Sequence, residues 1–178
     1  MLMLTFLSVA LTTQASPPAT PEPAPPPARV DCTAPEHRQF DFWLGDWDDV
    51  PSNAAADADQ PPARNTVTSA HGGCVLIENW QTDVMTGQSL NVYDRSRGEW
   101  HQTWVDSRGG LHEYWGTLHG DRMVLFGSTP VPSSPTFRMR VRLTFFDLGD
   151  GRVRQLSERL NADGTWSVNY DLLYTRRP

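Results

Sequence analysis

The chain has 178 residues, with 15 basic residues, all arginine, against 21 acidic ones, for a net charge of −6. That length supports one domain with enough chain to bury a core. The acidic balance excludes nucleic acid or an anionic lipid surface as a main partner, because both need a basic face.

Met1–Ala15 carries no charge, is apolar through Leu11 and ends in Thr13-Gln14-Ala15, a small-x-small cleavage pattern, although no basic residue precedes it. The pattern predicts a secretory signal peptide over residues 1–15, too short to cross a bilayer as a helix. A buried N-terminal helix is the bland alternative. The mature protein is therefore expected to be periplasmic or secreted, with no membrane span. Residues 16–35 hold eight of the 15 prolines, which predicts an extended, disordered spacer. The folded domain is expected over 36–178. Cys32 and Cys74 are the only cysteines. In an oxidising compartment such a pair forms one disulfide, here pinning the end of the spacer to the domain. A metal or catalytic cysteine needs a C-x-x-C or a further ligand cluster, and neither is present.

Pro35–Leu44 has room for a turn or two of helix. After it the chain breaks into short segments: 46–50, 65–71, 74–81, 88–94, 99–106, 111–119, 121–127, 136–147, 151–160 and 165–176. The connections between them are short and glycine-bearing, such as Ser107-Arg108-Gly109-Gly110 and Asn161-Ala162-Asp163-Gly164. Connections of that length join antiparallel neighbours, since a parallel crossover needs a dozen or more residues. The prediction is an all-β fold: a closed antiparallel up-and-down β-barrel of about ten strands, which removes exposed edges. A two-sheet β-sandwich is the alternative. Pro51–Arg64 reads as a long mobile loop, either a solvated insertion or a flap over a barrel mouth. Thr129–Pro135 reads as a second irregular loop.

Strand alternation separates two kinds of face. One carries Leu76, Glu78 and Trp80; Ser89, Asn91 and Tyr93; Trp100, Gln102, Trp104 and Asp106; Leu111, Glu113, Trp115 and Thr117; and Arg138, Arg140, Arg142 and Thr144. The other carries Val75, Ile77, Leu90, Val92 and Val141. A plain core has no use for the first mixture, because each buried polar group must find a partner. A cavity for a part-polar ligand uses it well. The opposite assignment, with the aliphatic set inside, stays open.

Phe40-Asp41-Phe42-Trp43-Leu44-Gly45-Asp46-Trp47 contains Gly45-x-Trp47 at the head of the first strand, which is similar to the G-x-W signature of lipocalins and related calycin barrels. That resemblance implies a structural role for Trp47, with Arg176 or Arg177 lying over it by cation–π packing. Further matches are Glu78-x-Trp80, Leu90-Asn91-x-Tyr93-Asp94, Trp100-x-Gln102-Thr103-Trp104-Val105-Asp106 and Asp163-Gly164-x-Trp166. Together the pattern resembles an uncharacterised family of exported bacterial proteins, a domain of unknown function with a lipocalin-like or nitrobindin-like barrel. The resemblance spans His37–Arg177 and implies fold and compartment, not a reaction. Nitrobindin-type barrels bind haem through a histidine on a late strand; no histidine follows His119, so no cofactor is expected.

No metal site is expected either. The five histidines form neither H-x-H nor H-E-x-x-H, although His101, His112 and His119 lie on neighbouring segments. The loop at Asn161–Gly164 fails the EF-hand pattern, with Arg159 at its first ligand position. The sequence also lacks a G-x-S-x-G and a nucleotide fingerprint.

Three readings follow. The first is a binding module that holds a small amphipathic molecule, with Trp80, Trp104, Trp115 and Tyr93 stacking and Glu78, Asn91, Gln102 and Arg142 orienting. The second is a barrel enzyme, a hydrolase or isomerase with Glu78 or Asp106 as general base; binding is favoured over catalysis. The third is an envelope protein-interaction module using the aliphatic faces or the Pro51–Arg64 loop.

Overall fold

The computed structural model describes residues 32–53, 61–131 and 134–178; the expected signal peptide, nearly all of the proline-rich spacer and the middle of the Pro51–Arg64 loop lie outside them. Ten antiparallel strands follow one another around a closed barrel: β1 (Gly45–Pro51), β2 (Ala63–Ala70), β3 (Val75–Gln81), β4 (Thr86–Asp94), β5 (Glu99–Asp106), β6 (Leu111–His119), β7 (Arg122–Val131), β8 (Ser134–Gly149), β9 (Arg152–Leu160) and β10 (Trp166–Arg176). Each pairs with its sequence neighbour, and β10 closes on β1 from Trp47 opposite Arg176 to Pro51 opposite Leu172. Among the described residues, helix is confined to short 3-10 turns at Pro35–Arg38, Asp41–Trp43 and His71–Gly73. No described helix is long and apolar enough to cross a membrane. The segment expected as an irregular loop at Thr129–Pro135 is instead strand up to Val131 and again from Ser134, with a break in register at Pro130/Val131.

One end of the barrel is plugged. Phe40, just before the second 3-10 turn, and Trp43, on it, enter the barrel and meet Trp47, Trp100, Phe145 and Tyr174, all at most 2 % exposed. Trp43 and Trp47 stack at 5.4 Å, and Tyr174 meets the Trp43 ring edge-on at 4.6 Å. The Trp47 indole N–H donates to the Trp43 carbonyl at 3.1 Å. Burying rings of this size is the largest apolar contribution a small barrel can make. Over this end lies Arg176, its guanidinium carbon 4.3 Å from the Trp47 ring centre. Gly45 makes room for it: a Cβ there would stand 2.0 Å from an Arg176 nitrogen, and the residue's φ of +140° suits only glycine. The disulfide between Cys32 and Cys74 ties the entering segment to the start of β3.

Candidate functional site

The mixed faces of β3, β4 and β5 point inward. Their buried side chains form one hydrogen-bonded chain across the barrel floor. Glu78 accepts from the Asn65 amide at 3.0 Å and the Ser89 hydroxyl at 2.6 Å. Asn91 donates to Ser89 at 2.9 Å, and Gln102 donates to Asn91 at 2.9 Å. The strand register explains the set: Glu78 lies opposite both Ser89 and Val67, and Asn91 lies opposite Gln102. A second carboxylate, Asp49 on β1, accepts from the Trp80 indole N–H at 3.1 Å.

Above this floor is a cavity of about 490 Å³, within the usual range of small-molecule sites of roughly 300–1,000 Å³. Glu78, Gln102, Gln155, Ser157 and the Tyr114 and Tyr174 phenols give it a polar floor and side. Trp80, Trp104, Tyr170 and Leu172 give it apolar walls; Met85, Asp106, His112, Pro130, Met139 and Arg159 surround its mouth. Trp80 and Trp104 meet edge-on at 6.2 Å. Gly87 on β4 admits the Trp104 ring, since a Cβ there would lie 2.1 Å from it. Tyr170, 37 % exposed, also lines the cavity.

Burial pushes the Glu78 carboxyl up to about 7, against the pull of its Ser89 and Asn65 hydrogen bonds. Asp49 is pushed up to about 6 for the same reason, opposed by the Trp80 bond and aided by neighbouring Asp48. Burial holds the Tyr114 phenol at about 12 and raises Tyr170 and Tyr174 as well, so all three are neutral donors. Asp106 behaves oppositely. Its Oδ1 accepts the backbone N–H groups of Gly110 at 3.0 Å and Arg108 at 2.9 Å, its Oδ2 accepts the Trp104 indole at 3.3 Å, and its pKa is lowered. Those bonds brace the β5–β6 turn and make Asp106 a poor base.

Of the residues expected at a ligand site, Glu78, Trp80, Gln102 and Trp104 line the cavity together with Asp106. Asn91 sits just behind it in the polar chain. The other three go elsewhere. Tyr93 packs at the plugged end, 5.3 Å from the His37 ring and 6.1 Å from Trp100. Trp115 lies on the outer face, against His101 at 3.8 Å and under the Arg97 guanidinium at 4.2 Å. Arg142 is also outside, paired with Glu158 at 2.8 Å and lying over Trp166 at 4.5 Å. The reason is register. On β6, Gly116, Tyr114 and His112 face Trp100, Gln102 and Trp104 across the pair, so Tyr114 and not Trp115 turns inward. On β8 the apolar set Val141, Leu143 and Phe145 takes the interior, which leaves the arginines outside.

Sequence reasoning missed Asp49, Asn65, Tyr114, Tyr170 and Arg159. The alternation of Gln155, Ser157 and Arg159 along β9 was readable. The inward turn of both Asn169 and Tyr170 was not, because it depends on a bulge at Val168/Tyr170. Among the described residues, no group of three or more histidine, cysteine or acidic side chains could hold a metal ion. His101 and His112 face opposite sides of the wall, as positions of opposite parity in directly paired strands.

No protein with a curated description matches the chain. Residues 33–176, all ten strands of the barrel, match the family described as a protein of unknown function, DUF1579, and the chain belongs to that family.

Proposed function

We propose that this protein is an exported binding module that holds a small amphipathic molecule inside its barrel. The observation that carries the reading is the cavity of about 490 Å³ with aromatic walls over a polar, hydrogen-bonded floor. A purely structural barrel gains more by filling such a space with aliphatic side chains than by burying Glu78, Ser89, Asn91 and Gln102 there. An apolar body against Trp80 and Trp104 with a polar group toward the floor would match both zones. The Cys32–Cys74 disulfide supports an oxidising compartment, as does the signal-like start of the sequence.

Replacement of the wall tests the reading. Trp80→Ala should weaken at least tenfold the binding of a small molecule that the barrel takes up, while Trp115→Ala, on the outer face, leaves it unchanged. Equal affinity in Trp80→Ala and wild type would rule out the cavity as the binding site.

One observation favours a second reading. A carboxyl at about 7 on a cavity wall is placed for general base or acid work near neutral pH. In that case Glu78→Gln abolishes turnover of the bound molecule and leaves its affinity intact.

A further inference from the structure

The barrel floor is rich in acceptors and short of positive charge. Asp49 lies close enough to Glu78 to raise the cost of ionising it, yet neither acid has a salt-bridge partner among the described residues. Their hydrogen bonds come only from neutral groups: Asn65 and Ser89 to Glu78, and Trp80 to Asp49. Asn65, 1 % exposed, keeps its amide oxygen without a partner beside Glu78. Buried acids are seldom left without a cation. The aromatic walls above this floor, Trp80, Trp104 and Tyr170, offer the faces on which organic cations are held.

From these features we infer that the bound molecule carries a positively charged nitrogen, a protonated amine on an apolar body, seated on Glu78 beneath the Trp80 and Trp104 rings. The inference rests on the binding reading above and specifies its ligand. The ammonium N–H groups donate to the Glu78 carboxylate, and the apolar body fills the space toward Leu172 and Met139. The other groups around Glu78 are compatible with this seat. Asp49 on β1 adds attraction; Asn65, Ser89, Asn91 and Gln102 are neutral, and so are the phenols of Tyr114, Tyr170 and Tyr174. Asp106, His112 and Arg159 stand at the mouth. Arg159 is two residues beyond Ser157 and four beyond Gln155, about 7 and 13 Å along the strand at roughly 3.3 Å per residue. A cation at the floor therefore meets acids first. Seating it displaces the proton that Glu78 holds at acidic pH, so binding releases a proton and tightens as the pH rises through neutrality.

Calorimetry on the disulfide-bonded protein with three matched probes provides the test: phenethylammonium, neutral 2-phenylethanol and anionic phenylacetate. The expected order at pH 8 is ammonium at least tenfold tighter than alcohol, with phenylacetate weakest. In Glu78→Gln the tenfold preference of ammonium over alcohol disappears. If that variant does not fold, the wild type alone decides. Repeating the ammonium titration at pH 6 in two buffers of different ionisation enthalpy should show proton release. Alcohol binding as tight as ammonium, a preference that survives Glu78→Gln, or no proton release overturns the inference and leaves the cavity reading standing. Failure of all three probes to bind at millimolar concentration overturns both.

Discussion

Replacing Glu78 by glutamine should make the barrel more stable above neutral pH. In the folded protein burial lifts the carboxyl from its ordinary 4.5 to about 7. The folded state thus holds a proton between those values that the unfolded chain has already released. Stability falls with rising pH wherever the folded state binds more protons. The stabilisation is fully present below pH 4.5, is lost progressively from there to about 7, and is absent above. At about 1.36 kcal/mol per pH unit the loss comes to roughly 3 kcal/mol. Glutamine keeps an acceptor for Asn65 and gives Ser89 a donor, and it has no charge to desolvate. Urea unfolding of wild type and Glu78→Gln at pH 5, 6, 7 and 8 measures the difference directly. The wild type should lose stability relative to the variant across this range, with the variant above it by pH 8; the lowered His101 and His112 oppose the decline below pH 6.5 equally in both proteins. Asp49 adds a smaller decline in both proteins, because its pKa is also raised. The lowered carboxylates of Asp94, Asp106, Asp163 and Asp171 act in the opposite sense but below the window, at acidic pH. Parallel curves for the two proteins would refute the claim that an ionised Glu78 is costly inside the barrel.

Two further outcomes follow from the plugged end. Gly45→Ala puts a methyl group on the Arg176 guanidinium and a side chain at a φ of +140°; it should cost about 2–3 kcal/mol and lower the melting temperature by several degrees, and an unchanged melting curve would contradict the close packing of Arg176. Reduction of the Cys32–Cys74 bridge opens a loop with a sequence separation of 42; the chain-entropy relation gives about 4 kcal/mol, so melting in reductant should fall well below melting without it, whereas coincident curves would show that the bridge adds nothing.

Topology was the most legible property of the sequence. Glycine-bearing turns every ten residues or so leave little choice but a meander, and a meander of ten strands closes on itself to hide its edges. Side-chain parity was less legible where both faces of a strand looked alike. On β6 the alternatives were Leu111, Glu113, Trp115 against His112, Tyr114, Gly116; each mixes aromatic with polar residues, so no hydrophobic signal selected one. The register against β5, fixed by the turn that Asp106 braces, decided it. On β8 the signal existed but pointed away from the polar face: Val141, Leu143 and Phe145 are the apolar set, and ordinary burial put them inside with Arg142 out. The site was partly visible through Glu78, Trp80, Gln102 and Trp104, which share the parity of a single sheet surface. Asp49 and Asn65 come from strands 13 or more residues away in sequence. Nothing local marks their convergence on Glu78, which arises only when β1, β2 and β3 pair.

A barrel interior that is a binding site should hold a small molecule through purification. Native mass spectrometry of wild type and Trp80→Ala, both exported to an oxidising compartment and purified without added ligand, tests it most directly when each is sprayed again with millimolar phenethylammonium. The expected result is a small-molecule mass on the wild type that Trp80→Ala lacks, over a polypeptide lighter by the two hydrogens of the disulfide. The bare polypeptide mass for both proteins, with and without the amine, would contradict it.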